Sequence, residues 1–168
     1  MKLTMTEIYR CTPQAYIEAY FDPVGRQKRE VDGLGGLSWT VVSNTQDQGE
    51  RRLIADFTQR LDAPGPIRKL IGETTAFQEE SWWREGSDVI DIVLRPQKMA
   101  KKLSIQGQYR VQGLEDGTSR VTFELEVQAR IFGIGGLVEK MALKEAPDTF
   151  AKESRILRSN GSGVPLRM

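Results

Sequence analysis

The chain has 168 residues and a mass of 19.0 kDa, the size of one ordinary domain, and 24 basic side chains against 23 acidic ones leave a net charge of +1. That balance gives no overall attraction to nucleic acid, and 39% hydrophobic with 28% charged residues excludes a disordered chain. Histidine is absent and Cys11 is the only cysteine, which excludes imidazole acid–base chemistry, histidine metal sites, an internal disulfide and a cysteine zinc site.

Residues 2–10 alternate, with Leu3, Met5, Glu7 and Tyr9 on one side, and read as a strand with one buried face. Thr12-Pro13 is an N-cap followed by proline at the first helical position, and Asp22-Pro23 ends that short helix. Residues 24–31 read as a second short helix with a charged face, and Gly33, Gly35 and Gly36 stop it. From 37 to 130 the period is close to two. Turns at Asp47-Gln48-Gly49, Glu85-Gly86-Ser87 and Glu115-Asp116-Gly117 divide this stretch, and 64–72 is a loop or one helical turn. After Gly133–Gly136 the period becomes helical for about 25 residues, with Pro147 inside, which should kink it or lift its first turns. The end, 159–168, reads as a flexible tail behind a single domain of 1–158.

Six consecutive strands on short connections pair antiparallel, and their apolar face needs a cover. The terminal helix is the one element that looks long enough to supply it. A curved sheet and a straight helix diverge, so an apolar space between them is expected. The segments Pro66-Ile67-Arg68-Lys69-Leu70-Ile71-Gly72, Trp82-Trp83 and Ile131 through Lys140, in this element order, resemble the START-like (SRPBCC) helix-grip superfamily. That superfamily includes Bet v 1-type allergens and polyketide cyclases; within it the chain is similar to an uncharacterised bacterial subfamily. The resemblance implies an α+β fold: a curved, seven-stranded antiparallel sheet wrapped around a long C-terminal helix, with two short helices between strands 1 and 2.

Trp39, Phe57, Phe77, Trp83, Ile92, Tyr109, Phe123 and Leu125, with Met141 from the helix, fall on the inward face. They are either packed core or the wall of a ligand pocket. Glu79 and Glu7 share that face. A buried carboxylate must be paired, hydrated or protonated, so each is an acid–base or ligand contact, a partner in a salt bridge to an arginine, or turned outward by a bulge that flips the register. Tyr109 can donate into the same space. Trp82 and Trp83 are adjacent, so only one faces inward.

Three functions remain open: binding of a lipid, isoprenoid or polyketide-like molecule; a cyclase or aromatase using Glu79, Tyr109 and Glu7; or a protein-interaction domain with an apolar patch around Trp82, Ile67 and Leu70. The basic loop 95–102 is a solvated hairpin end or a contact for anionic lipid head groups. No metal or cofactor is implied, and no nucleic-acid partner. Oligomeric state is not legible. No apolar run reaches the ~20 residues of a membrane span or the length of a signal peptide, so a cytoplasmic protein is expected.

Overall fold

The computed structural model describes residues 1–159 and 166–167. Strand β1 (Lys2–Arg10) leads into α1 (Pro13–Tyr20) and α2 (Pro23–Lys28), which continues as a π-helical turn over Arg29–Gly33. The strands β2 (Ser38–Asp47), β3 (Glu50–Arg60), β4 (Thr74–Arg84), β5 (Val89–Pro96), β6 (Leu103–Gly113) and β7 (Ser119–Ala129) follow, with α3 (Gly65–Ile71) between β3 and β4. The helix α4 (Gly135–Ser159) runs unbroken through Pro147, and β8 (Leu166–Arg167) adds two residues at the edge. The expected tail falls mostly outside the described residues, apart from this short strand and Ser159.

The caps explain the first crossover. Thr12 Oγ1 accepts the amide of Ala15 at 3.2 Å and Asp22 Oδ2 accepts that of Gly25 at 3.3 Å, each with proline next in the chain. Asp22-Pro23 therefore closes one helix and opens another.

All strands form one antiparallel sheet in the order β2-β3-β4-β5-β6-β7-β1-β8. The seven long strands match the expected architecture. The β2–β3 register shifts between Val41 and Ser43, a bulge that leaves Val42 exposed. Trp83 is buried, while Trp82 lies on the opposite face between Arg52 and Asp91.

The cover of the concave face is shared, contrary to the expectation that the last helix alone supplies it. Tyr16, Ile17, Tyr20 and Phe21 from α1 pack with Trp39, Trp83, Tyr109, Phe123 and Phe150 in one cluster. Ile67 and Ile71 from α3 pack with Phe77, Ile105, Val127 and Val138 in a second. One amphipathic helix presents too narrow a stripe for strands of this length, and the short helices supply the remaining apolar surface. Ile67, which the protein-interaction reading places in an exposed apolar patch, is fully buried for this reason.

Gly107 lies on the inward face of β6 between Ile105 and Tyr109. A Cβ there would stand 2.7 Å from the Phe123 ring and 2.8 Å from the Glu124 carbonyl oxygen. The missing side chain lets Phe123 lie flat over β6 and stack on Tyr109, with centroids 4.2 Å apart. The expected outcome of Gly107→Ala is a loss of about 1–3 kcal/mol from overpacking against backbone, read from urea unfolding midpoints.

Candidate functional site

Alternation places Thr75, Phe77, Glu79, Ser81 and Trp83 on the inner face of β4, and all five are buried. Glu79 thus sits near mid-strand, buried from solvent. Its partner comes from α2: Arg26 Nη2 donates to both carboxylate oxygens, at 2.9 and 2.8 Å. Ser81 Oγ donates to Glu79 Oε1 at 2.9 Å, and the Tyr20 hydroxyl lies 2.9 Å from Ser81 Oγ and 3.5 Å from the carboxylate. The side chains of Arg26 and Glu79 are only 5% and 4% exposed.

The charged centre extends along the helical segment. Arg26 also donates to Glu30 at 3.2 Å, and its guanidinium lies over the rings of Tyr20 and Trp39. Arg29, three residues on, is buried and faces the carboxylate of Glu153 on α4 at 3.5 Å. Burial works against the charge on Arg26, but Glu79, Tyr20 and Glu30 outweigh it and hold the guanidinium firmly protonated. Burial raises Glu30, with Arg26 opposing. Among the described residues, Arg26 Nε, Arg29 Nη2 and Trp39 Nε1 are buried donors without a hydrogen-bond acceptor, and Arg29 Nε has the Glu153 ion pair but no hydrogen bond.

The sequence-predicted residues all face the concave side, but they divide. Trp39, Phe77, Trp83, Ile92, Tyr109 and Phe123 are buried. Phe57, Leu125 and Met141 are half-buried, as is Leu94, and Phe57, Leu94 and Leu125 border both packed clusters. Glu7 is half-buried near the end of β1, opposite Val121. Tyr109 lies between Tyr20 and Phe123, and burial holds its phenol well above the usual range. Burial also pushes the Cys11 thiol up to about 11, against hydrogen bonds that lower it, so it does not act as a thiolate near neutral pH.

Alternation on strands did not find Arg26, Arg29, Glu30, Glu153, Tyr20 or Ser81. The available signal was Glu79 itself. Among its neighbours Arg52, Arg60, Arg84 and Arg95 fall on the outer parity, and the inward-facing Arg51 lies four residues along β3 from Glu79's partner Ala55 and pairs with Glu18, so the cation for Glu79 comes from the helices. A hollow of about 720 Å³ lies elsewhere, at the hairpin tips, lined by polar residues including Asp47, Glu50, Arg52, Arg84 and Glu85. It contains none of the predicted site residues. No group of metal-ligating side chains occurs among the described residues.

Removing the charge of Glu79 leaves Arg26 buried without its main partner. Glu79→Gln is expected to cost about 3–5 kcal/mol by chemical denaturation, and adding Arg26→Met is expected to recover part of that loss. The pH response of Glu30 has a definite sign. Its folded-state pKa lies above the ordinary 4.5, so the folded chain holds that proton more tightly and this contribution to stability falls as pH rises through that window. Unfolding measured over a pH series is expected to show Glu30→Gln gaining on the wild type as pH increases.

Comparison with known proteins fixes the fold. No curated protein matches the chain in sequence. In structure it is similar to the protein TTHA0849 from Thermus thermophilus, with a TM-score of 0.64 at 16% identity over 96% of this chain and 100% of that one. It is also similar to a START superfamily protein from Mycobacterium smegmatis, with a TM-score of 0.58 at 14% identity over 92% and 96%. The Zhui aromatase/cyclase from Streptomyces sp. R1128 gives a TM-score of 0.58 at 12% identity over 96% and 98%. These likenesses establish the START-like, Bet v 1-like helix-grip fold. Residues 4–159 match the family described as Protein of unknown function (DUF2505), and the chain belongs to that family.

Proposed function

We propose that the chain binds a hydrophobic small molecule, of a lipid, isoprenoid or polyketide-like kind, between the sheet and α4. The supporting observation is the seam between the two packed clusters. Phe57, Leu94 and Leu125 face inward from interior strands, yet remain partly accessible. In a solid core such residues are closed off by their neighbours on both sides.

The donors without acceptors on Trp39 and Arg26 border the same seam, since Trp39 is opposite Phe57 and Glu79, which Arg26 grips, is opposite Leu94 in register. Two guanidinium groups already face three carboxylates there, Glu30, Glu79 and Glu153. The donors therefore fit a neutral oxygen, a hydroxyl or carbonyl, better than a further anion. The geometry favours binding over catalysis. Both oxygens of Glu79 are taken by Arg26, and one of them also by Ser81, which leaves little capacity for moving protons.

Displacement of a fluorescent apolar dye by long-chain alcohols and isoprenoids, with native mass spectrometry of protein purified from cells, tests the reading. Leu125→Trp fills the seam and is expected to weaken displacement by about tenfold or more while the far-UV spectrum is retained. Equal displacement by the variant, or none by the wild type, would refute a guest at this place.

A further inference from the structure

We propose that one end of the molecule docks on an anionic lipid surface. The antiparallel order sends three connections to the same end: α3 with its flanks, the loop 97–102, and the turn from β7 into α4. They adjoin one another. The amide of Arg130 donates to the Lys102 carbonyl at 2.7 Å, Lys98 Nζ lies beside Gly72, and Ile67, Met99, Ile131 and Ile134 share one apolar cluster.

Two properties coincide at this end. The first is exposed apolar surface. Of the seven large hydrophobic side chains that remain exposed among the described residues, five are here: Met1, Leu37, Leu70, Phe132 and Leu137. Phe132 is fully exposed on the tight turn that enters α4, and a lone aromatic ring at a loop tip has no folding role to explain it.

The second is charge. Arg68 and Lys69 on α3, Lys98, Lys101 and Lys102 on the loop, and Arg130 and Lys140 around the turn are all exposed, and none forms a salt bridge among the described residues. The same segments carry only Asp62, Glu73 and Glu139. Glu139 is occupied, accepting the Ala129 amide at 2.9 Å.

The opposite end has the reverse character. Its three hairpin turns hold Asp47, Glu50, Glu85, Asp88, Glu115 and Asp116; Arg84 pairs with Glu50 and Arg110 with Asp88, which leaves the acids in excess there. A nearly neutral chain is thus polarised along its strands. Basic residues around protruding apolar groups suit an interface of negative head groups over hydrocarbon, whereas a nucleic acid would match the charge but leave Phe132 unused. This inference stands independently of the ligand seam.

Flotation with vesicles tests it, comparing pure phosphatidylcholine with the same lipid containing roughly one-third phosphatidylserine. The wild type is expected to float with the anionic vesicles only, and to be released by added salt. Lys98→Glu, Lys101→Glu and Lys102→Glu together are expected to weaken binding about tenfold or more, and Phe132→Ser several-fold. These positions are exposed, so the variants keep the fold, which circular dichroism checks. Phe132→Trp is expected to shift its emission to the blue on anionic vesicles. Absence of vesicle binding at low salt overturns the proposal. So does binding that these substitutions leave unchanged, or retention on heparin without vesicle binding.

Discussion

Glu79 stands near the middle of a strand, on the face that the fold must dry. An ionised carboxylate there is costly to desolvate, and the cost is met only by a cation that arrives with good geometry. Arg26 meets it with one nitrogen shared between both oxygens. That contact fixes α2 on the sheet, and the π-helical turn that continues it carries Arg29 to Glu153 on α4. The two crossover helices, the sheet and the last helix therefore meet at one charged centre. Its removal would free the orientation of all three against one another.

Around this centre the concave face divides. Aromatic side chains from α1 close the half nearest the hairpin tips, and α3 with the first turns of α4 closes the other. Apolar packing is non-directional and would by itself allow the halves to merge. The polar centre ties α2 to the sheet, and Phe57, Leu94 and Leu125 lie half-covered where the two clusters meet.

The architecture was legible because the strands, apart from the bulge in β2, alternate with a period close to two and each turn carries its own residues. The inward direction of Glu79, Tyr109 and Phe123, and the caps at Thr12 and Asp22, were legible for the same local reasons. What escaped was long-range. Arg26 and Arg29 read only as part of a charged helix face, because their burial depends on Glu79 and Glu153, 53 and 124 positions away. Ile67 read as an exposed patch because nothing in its own segment shows that α3 folds back on Phe77 and Ile105. Periodicity reports which way a side chain points, not what meets it there.

The sheet ends on β2, a strand of ten residues whose outer backbone groups have no strand beside them among the described residues. Such a border invites another chain to add itself, the first step towards fibres. The extra residue at Val42 breaks the regular spacing of donors and acceptors there, so an incoming strand cannot keep in step for more than a few residues. The irregularity acts as a guard against self-association, placed where the molecule is most open to it.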